Sequence, residues 1–191
     1  PTSVGSSWYK TIVTPTNTLP VGTNYIQLEF WMNDSLPSTT SDQSWTGGTE
    51  LEGVYGTSGM ELHPQGETLD AKKSWFMFDN EIVSLGSGIR ASDGVNVESI
   101  VDNRKLNSSG NNTLTVNGTA KSSALGWSET MSGVNWMHLA GNVAGSDVGY
   151  YFPGGTSVKG LREAKSGALS DMTHSTNVDT TTYTRNYMTL W

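Results

Sequence analysis

Apolar and polar residues alternate in short runs along the chain. Residues Asn24–Met32 show the pattern most plainly. Tyr25, Gln27, Glu29 and Trp31 fall on one side of an extended chain, and Ile26, Leu28, Phe30 and Met32 on the other. Period two marks a strand with one apolar face. An earlier apolar segment, Trp8–Val13, is set apart from it by Pro15, Pro20 and Gly22. Residues 33–44 then gather Asp, Ser, Thr and Pro around a single aliphatic residue, Leu36. That composition predicts a linker closing a preceding β module, the two together filling residues 1–44.

From Trp45 onward, turn residues recur roughly every ten positions between apolar runs, the spacing of a sandwich. In Ser74–Leu85, aromatic residues run into Asp79-Asn80 and aliphatic ones run out again. Asp and Asn tolerate the left-handed backbone of a two-residue hairpin turn, so a hairpin is predicted. A helix over 67–85 competes, because neither Pro nor any Gly after Gly66 interrupts it. The aromatic run and the closing Gly86-Ser87-Gly88 favour strands. Further strands are expected at Val97–Lys105, Thr113–Val116, Val134–Leu139, Val148–Phe152, Val158–Glu163 and Tyr183–Trp191, with a second hairpin at Asn117-Gly118. Tyr183–Trp191 is apolar on both faces and ends without a turn. It therefore predicts a strand buried on both sides, at a sheet edge that a missing strand or another chain completes. The expected fold is an all-β antiparallel β-sandwich over 45–191, incomplete at that edge.

Composition narrows the function. Only 15% of residues are charged, and the net charge is −7. A helical bundle draws its surface from Lys, Glu and Arg, so few charges argue for β structure. A nucleic-acid binder needs a basic face, so nucleic acid is not an expected partner. No run of about 18 apolar residues occurs, and no helical membrane span is expected. With 0 Cys there is neither a disulfide nor thiolate chemistry. A chain rich in Ser, Thr, Asn and Gly, with 7 Trp, reads as secreted and carbohydrate-active. It starts at Pro1 without a leader pattern, as a mature or excised piece would. Sequons at Asn33, Asn107, Asn111 and Asn117 are no more than this composition gives by chance.

Chemistry-bearing residues are sparse. His63, His138 and His174 share no metal-ligand spacing, so no transition-metal site is expected. His138 reads as a hydrogen-bonded sheet histidine, and His174 as a loop residue. No GxSxG elbow is present. Asp79 and Glu81 are two carboxylates of the kind a glycosidase needs, but turn chemistry accounts for Asp79. Oxygen ligands are plentiful without a DxDxDG loop, which leaves calcium as the one cofactor to consider. Sugar rings stack on exposed aromatics, and Trp45, Tyr55, Trp127, Tyr183 and Tyr187 are candidates, each with core filling as its alternative. Arg104, beside Lys105, and the group Lys159, Arg162 and Lys165 offer charge to an acidic polymer. Their alternative is a solvated strand-edge position.

Several segments together resemble the central sandwich ("super-sandwich") of polysaccharide lyase family 8. They are Ala71–Ile89 (AKKSWFMFDNEIVSLGSGI), Tyr55–Met60 (YGTSGM), Val97–Lys105 (VESIVDNRK), Gly149–Pro153 (GYYFP), Leu161–Glu163 (LRE) and Tyr187–Trp191 (YMTLW). They follow the family's order and cover residues 45–191. Residues Pro20–Phe30 are instead similar to the last strands of a galactose-binding-like module.

The resemblance implies eliminative cleavage of an acidic polysaccharide, with xanthan first and hyaluronan or chondroitin next. In the family a Tyr removes the C5 proton of a uronic acid while Asn and His offset charge on its carboxylate. Those groups lie on a helical toroid that nothing in this chain matches, so no catalytic residue carries over. The chain is then expected to wall the cleft and brace the toroid, its partners being that toroid, the remaining sandwich strands and the polysaccharide. Trp45, Tyr55, Arg104 and Trp127 remain as substrate-contact candidates. The rivals are a free-standing carbohydrate-binding module and a structural or adhesin sandwich.

Overall fold

The computed structural model describes residues 8–12, 26–31, 43–64, 66–171 and 178–191. Most of the expected linker at 33–44, together with Asn33 and His174, lies outside them. Apart from one 3-10 turn at Leu169–Asp171, every regular element among the described residues is a strand. The competing helix over 67–85 is absent.

β1 (Trp8–Ile12) and β2 (Ile26–Trp31) pair antiparallel as a two-stranded ribbon. The chain divides into two compact units, residues 8–31 falling in the second, and each unit has a larger antiparallel sheet of its own. In the first, β3 (Thr46–Leu51), β4 (Tyr55–Leu62), β5 (Asp70–Phe78) and β6 (Glu81–Arg90) follow one another as a meander. The β5–β6 hairpin turns at Asp79-Asn80, as the sequence predicts, with Phe78 opposite Glu81. The turn is not the left-handed one expected. Among the described non-glycine residues only Glu52 and Asn117 have positive φ. Neither Asp79 nor Asn80 is Gly, and the backbone stays in the region that costs them least. Apolar side chains of this unit are largely solvent-facing, Ile82 at 68% exposure being the extreme.

The second unit contains β7 (Asp102–Lys105), β8 (Leu114–Val116), β9 (Thr119–Ala120), β10 (Ser128–Leu139), β11 (Val148–Gly167) and β12 (Tyr183–Leu190). Their spatial order is β7-β12-β11-β10-β8-β9. Its core is one sheet face: Leu114 and Val116, then Met131, Val134, Met137 and Leu139, then Val158, Met188 and Leu190, closed by Leu106 from a loop. Side chains buried to this degree each contribute roughly 1.5–3 kcal/mol. The Asn117-Gly118 hairpin joins β8 to β9 with both residues left-handed, at φ 46° and 86°.

Three expectations are corrected here. The strands expected at 148–152 and 158–163 are one continuous strand. Gly154 and Gly155, at φ 82° and 75°, let β11 bend instead of ending. Arg162 is not a solvated edge charge but fully buried. The terminal strand is not an edge. β12 lies between β11 and β7, and Trp191 exchanges backbone bonds with Lys159 in both directions, at 3.0 and 2.7 Å. Its both-sided apolar character fits that interior place, since neighbours Tyr187 and Met188 point to opposite faces and both are buried.

Candidate functional site

The substrate-contact candidates fall in two different units. Trp45 and Tyr55 belong to the four-stranded unit, Arg104 and Trp127 to the six-stranded one. Trp45 is 59% exposed, and its ring covers Gly59 so closely that a Cβ there would come within 2.9 Å of it. Tyr55, less exposed, meets Phe78 ring to ring at 6.4 Å and 52°. Trp127 packs against the core, over Gly160, where a Cβ would lie 2.7 Å from the indole. Its ring is thus a wall of the core, not an open platform. Tyr187 is likewise buried, while Tyr183 is exposed and its hydroxyl donates to Asp179 at 2.8 Å.

Arg104 belongs to a polar knot. Its Nε donates to Asp102 Oδ2 at 2.9 Å, and the Tyr150 hydroxyl donates to the same oxygen. Burial, then the Asp102 charge, push the Tyr150 phenol well above its usual value. Burial alone would lower the Arg104 pKa, but Asp102 and Tyr150 together more than offset that and raise it. This arrangement holds an acid in its protonated form and a cation in its charged form. It is the chemistry of a brace, not of proton abstraction.

Two histidines are also paired. His138 Nε2 lies 2.8 Å from Asp147 Oδ2, and the Gly141 amide donates to Asp147 Oδ1 at 2.9 Å. The Gly141 bond, then His138, hold the Asp147 carboxyl below the usual range. His63 Nδ1 lies 2.6 Å from Asp70, whose other oxygen accepts from Arg90 Nε at 2.8 Å. The Arg90 bond leads in lowering the Asp70 pKa. His138 is therefore the hydrogen-bonded sheet histidine expected of it.

In the four-stranded unit a cleft of about 290 Å³ is walled by Leu69, Val95 and Val97 with Glu67, Asp93 and Glu98 at its sides. Among the described residues, no three His, Asp or Glu side chains come together as a metal cluster. Trp136 and Tyr151, not among the candidates, face each other across β10 and β11. Strict alternation would set Trp136 on the face of the buried Val134, and only the register shift between them turns the indole to the other side.

Residues 21–191 match the super-sandwich domain of polysaccharide lyase family 8. The chain belongs to that family. Its resemblance on the segments quoted above is thereby borne out, and the match starts upstream of Trp45. It is 53% identical over 142 residues to the xanthan lyase of Bacillus sp. (strain GL1), covering 74% of this chain and 15% of that protein. It is 35% identical over 140 residues to the hyaluronate lyase of Thermasporomyces composti, covering 73% and 17%. Among solved structures, Paenibacillus xanthan lyase superposes with a TM-score of 0.78 at 58% identity, over 95% of this chain and 17% of that one. Streptomyces coelicolor A3 chondroitin AC lyase, in complex with chondroitin sulphate, gives 0.54 at 28% identity, over 94% and 27%. This family 8 chain thus spans about a sixth of the length of the two curated relatives named here.

Proposed function

We propose that this chain is the sandwich part of a secreted lyase that cleaves a xanthan-type acidic polysaccharide by β-elimination. Hyaluronan and chondroitin are the next substrates in order. Its own part is to wall the substrate cleft and brace a helical catalytic domain. The observation that carries the substrate choice is the gradient of identity, 53% to a xanthan lyase against 35% to a hyaluronate lyase. An enzyme for such a polymer works outside the cell, because the polymer is too large and too charged to enter intact.

Elimination needs a base for the C5 proton, a partner for the uronate carboxylate, and an acid for the departing glycosidic oxygen. Three groups of those types among the described residues are already engaged. The Tyr150 hydroxyl donates to Asp102, and His138 and His63 are each bonded to an aspartate. A phenol pushed up in pKa while donating to a carboxylate makes a poor base. No cofactor enters this reading.

The test compares the 191-residue chain alone with the longer lyase that contains it, following the ultraviolet absorbance of the unsaturated uronate product. Xanthan is expected to give product only when the helical domain is present. Turnover of xanthan by a preparation holding this chain alone would refute the bracing role. A whole protein that prefers hyaluronan would refute the substrate order.

A further inference from the structure

The solvent-facing side of the β10–β11 arm carries an arrangement that the bracing role does not use. Trp136 and Tyr151 are direct cross-strand partners, 41% and 75% exposed. The core lies on the opposite face, formed here by Val134, Met137 and Leu139. Cross-strand partners have Cβ atoms about 5 Å apart, so the two side chains rise side by side from one surface. His138 follows on the same face. Its partners in register are Gly149 on one side and Thr115 on the other. Gly149 leaves the surface beside the imidazole open, since a Cβ there would meet only the Met137 carbonyl, at 4.0 Å. Asp147, bonded to His138 Nε2 and to the Gly141 amide, stands at the end of this row with both oxygens oriented.

A second, independent observation concerns rigidity. Asn117 accepts from the amides of Asn135 and Trp136 at 3.0 and 3.1 Å, and its Nδ2 donates to the Gly133 carbonyl at 2.8 Å. One side chain thus pins the β10 bulge at the residue that carries the indole. A fixed ring loses little entropy when a ligand stacks on it.

We propose that Trp136, Tyr151, His138 and Asp147 form a sugar-binding platform for uncharged pyranose units of the polysaccharide, an inference that rests on the lyase reading above. The two rings offer apolar faces for pyranose C–H groups. The imidazole and carboxylate exchange hydrogen bonds with ring hydroxyls. Charge decides between sugar types. The row contains a carboxylate and no Lys or Arg, so a uronate is repelled where a neutral hexose is accepted.

The experiment titrates the full chain with a neutral gluco-oligosaccharide, a neutral manno-oligosaccharide and a glucuronate-rich oligosaccharide. Indole resonances and tryptophan fluorescence are followed. A neutral probe is expected to bind and to shift the Trp136 indole signal. Trp136→Ala and Tyr151→Ala are each expected to weaken binding roughly tenfold, whereas Tyr151→Phe, which keeps the ring, keeps most of it. Ile82→Ala, in the other sheet, is the unaffected control. Thermal melts of Tyr151→Ala should match the parent, because so exposed a side chain supports little structure. No saturable binding of either neutral probe would overturn the proposal, as would tighter binding of the uronate probe or full binding by Trp136→Ala. Product formation from xanthan by the whole protein is read separately. A platform that fails while elimination proceeds leaves the lyase reading intact, and the reverse result removes the reading on which the platform rests.

Discussion

Arg162 is the position where one substitution separates packing from electrostatics. The side chain is fully buried, and its hydrogen bonds go to main-chain carbonyls rather than to a carboxylate. Its Nη1 donates to the Gly110 carbonyl and its Nη2 to the Asn112 carbonyl, at 2.8 Å for the latter, while Nε has no partner. Burial pushes its pKa down, though a guanidinium stays charged at any pH of interest. Arg162→Met keeps the apolar stem and removes the fork. Two loop carbonyls then lose their donors, at about 1–3 kcal/mol each when buried. Relief of the buried cation returns part of that loss. The expected net cost is about 2–4 kcal/mol, a fall of roughly 5–15 °C in Tm for a chain of this size. Thermal and urea unfolding measure it. Hydrogen exchange adds a signature that general loosening lacks. Protection should fall at 107–113, while 124–127 holds, because the Arg162 main chain keeps its bonds to Gly126 and Trp127, at 2.7 and 2.9 Å. A Met variant as stable as the parent would refute the reasoning. It would show that desolvating the guanidinium costs as much as its two bonds return.

Met188→Ala, at a site with 0% exposure, is expected to cost about 2–5 kcal/mol. Ile82→Ala, 68% exposed, should stay within about 0.5 kcal/mol in the same unfolding assay. Asp70, Asp93, Asp147 and Asp179 all have lowered pKa values, led respectively by bonds from Arg90, Val95, Gly141 and Thr181. Their contribution is complete above the unfolded aspartate value of about 3.9 and is lost as pH falls below it through the lowered folded values. Melting temperature should therefore drop most steeply below about pH 4, with a shallower slope in Asp147→Asn. Tyr150, raised first by burial and then by Asp102, works in the opposite direction. Its contribution is complete below the unfolded tyrosine value of about 10 and is lost as pH rises past it. Ultraviolet titration should find fewer tyrosines ionising in the folded chain than in denaturant, and Tyr150→Phe should narrow that difference.

Local chemistry in the sequence was enough for the all-β class and for the places where the chain reverses. Asn117-Gly118 adopts the left-handed pair its residues favour, and Asp79-Asn80 turns where expected, although with another backbone geometry. Apolar runs bounded by turn residues likewise marked the strands over 134–139 and 183–190. Motif resemblance identified the family.

Tertiary structure decided the rest. β3 and β4 had gone unassigned as strands because Gly47, Gly48, Gly56 and Gly59 carry no alternation, and Gly59 is there to admit the Trp45 ring. Tyr183–Trp191 looked like an open edge, since strand neighbours come from anywhere in the chain and β7 lies some eighty residues upstream. Arg162 reads as a surface charge in isolation. Only carbonyls from residues 110 and 112, about fifty positions away, make its burial tolerable. The Tyr150–Asp102–Arg104 knot and the Trp136–Tyr151 pair share this property. Each depends on which strands meet, and a side chain's charge state or exposure is set by neighbours that its own stretch of sequence does not contain.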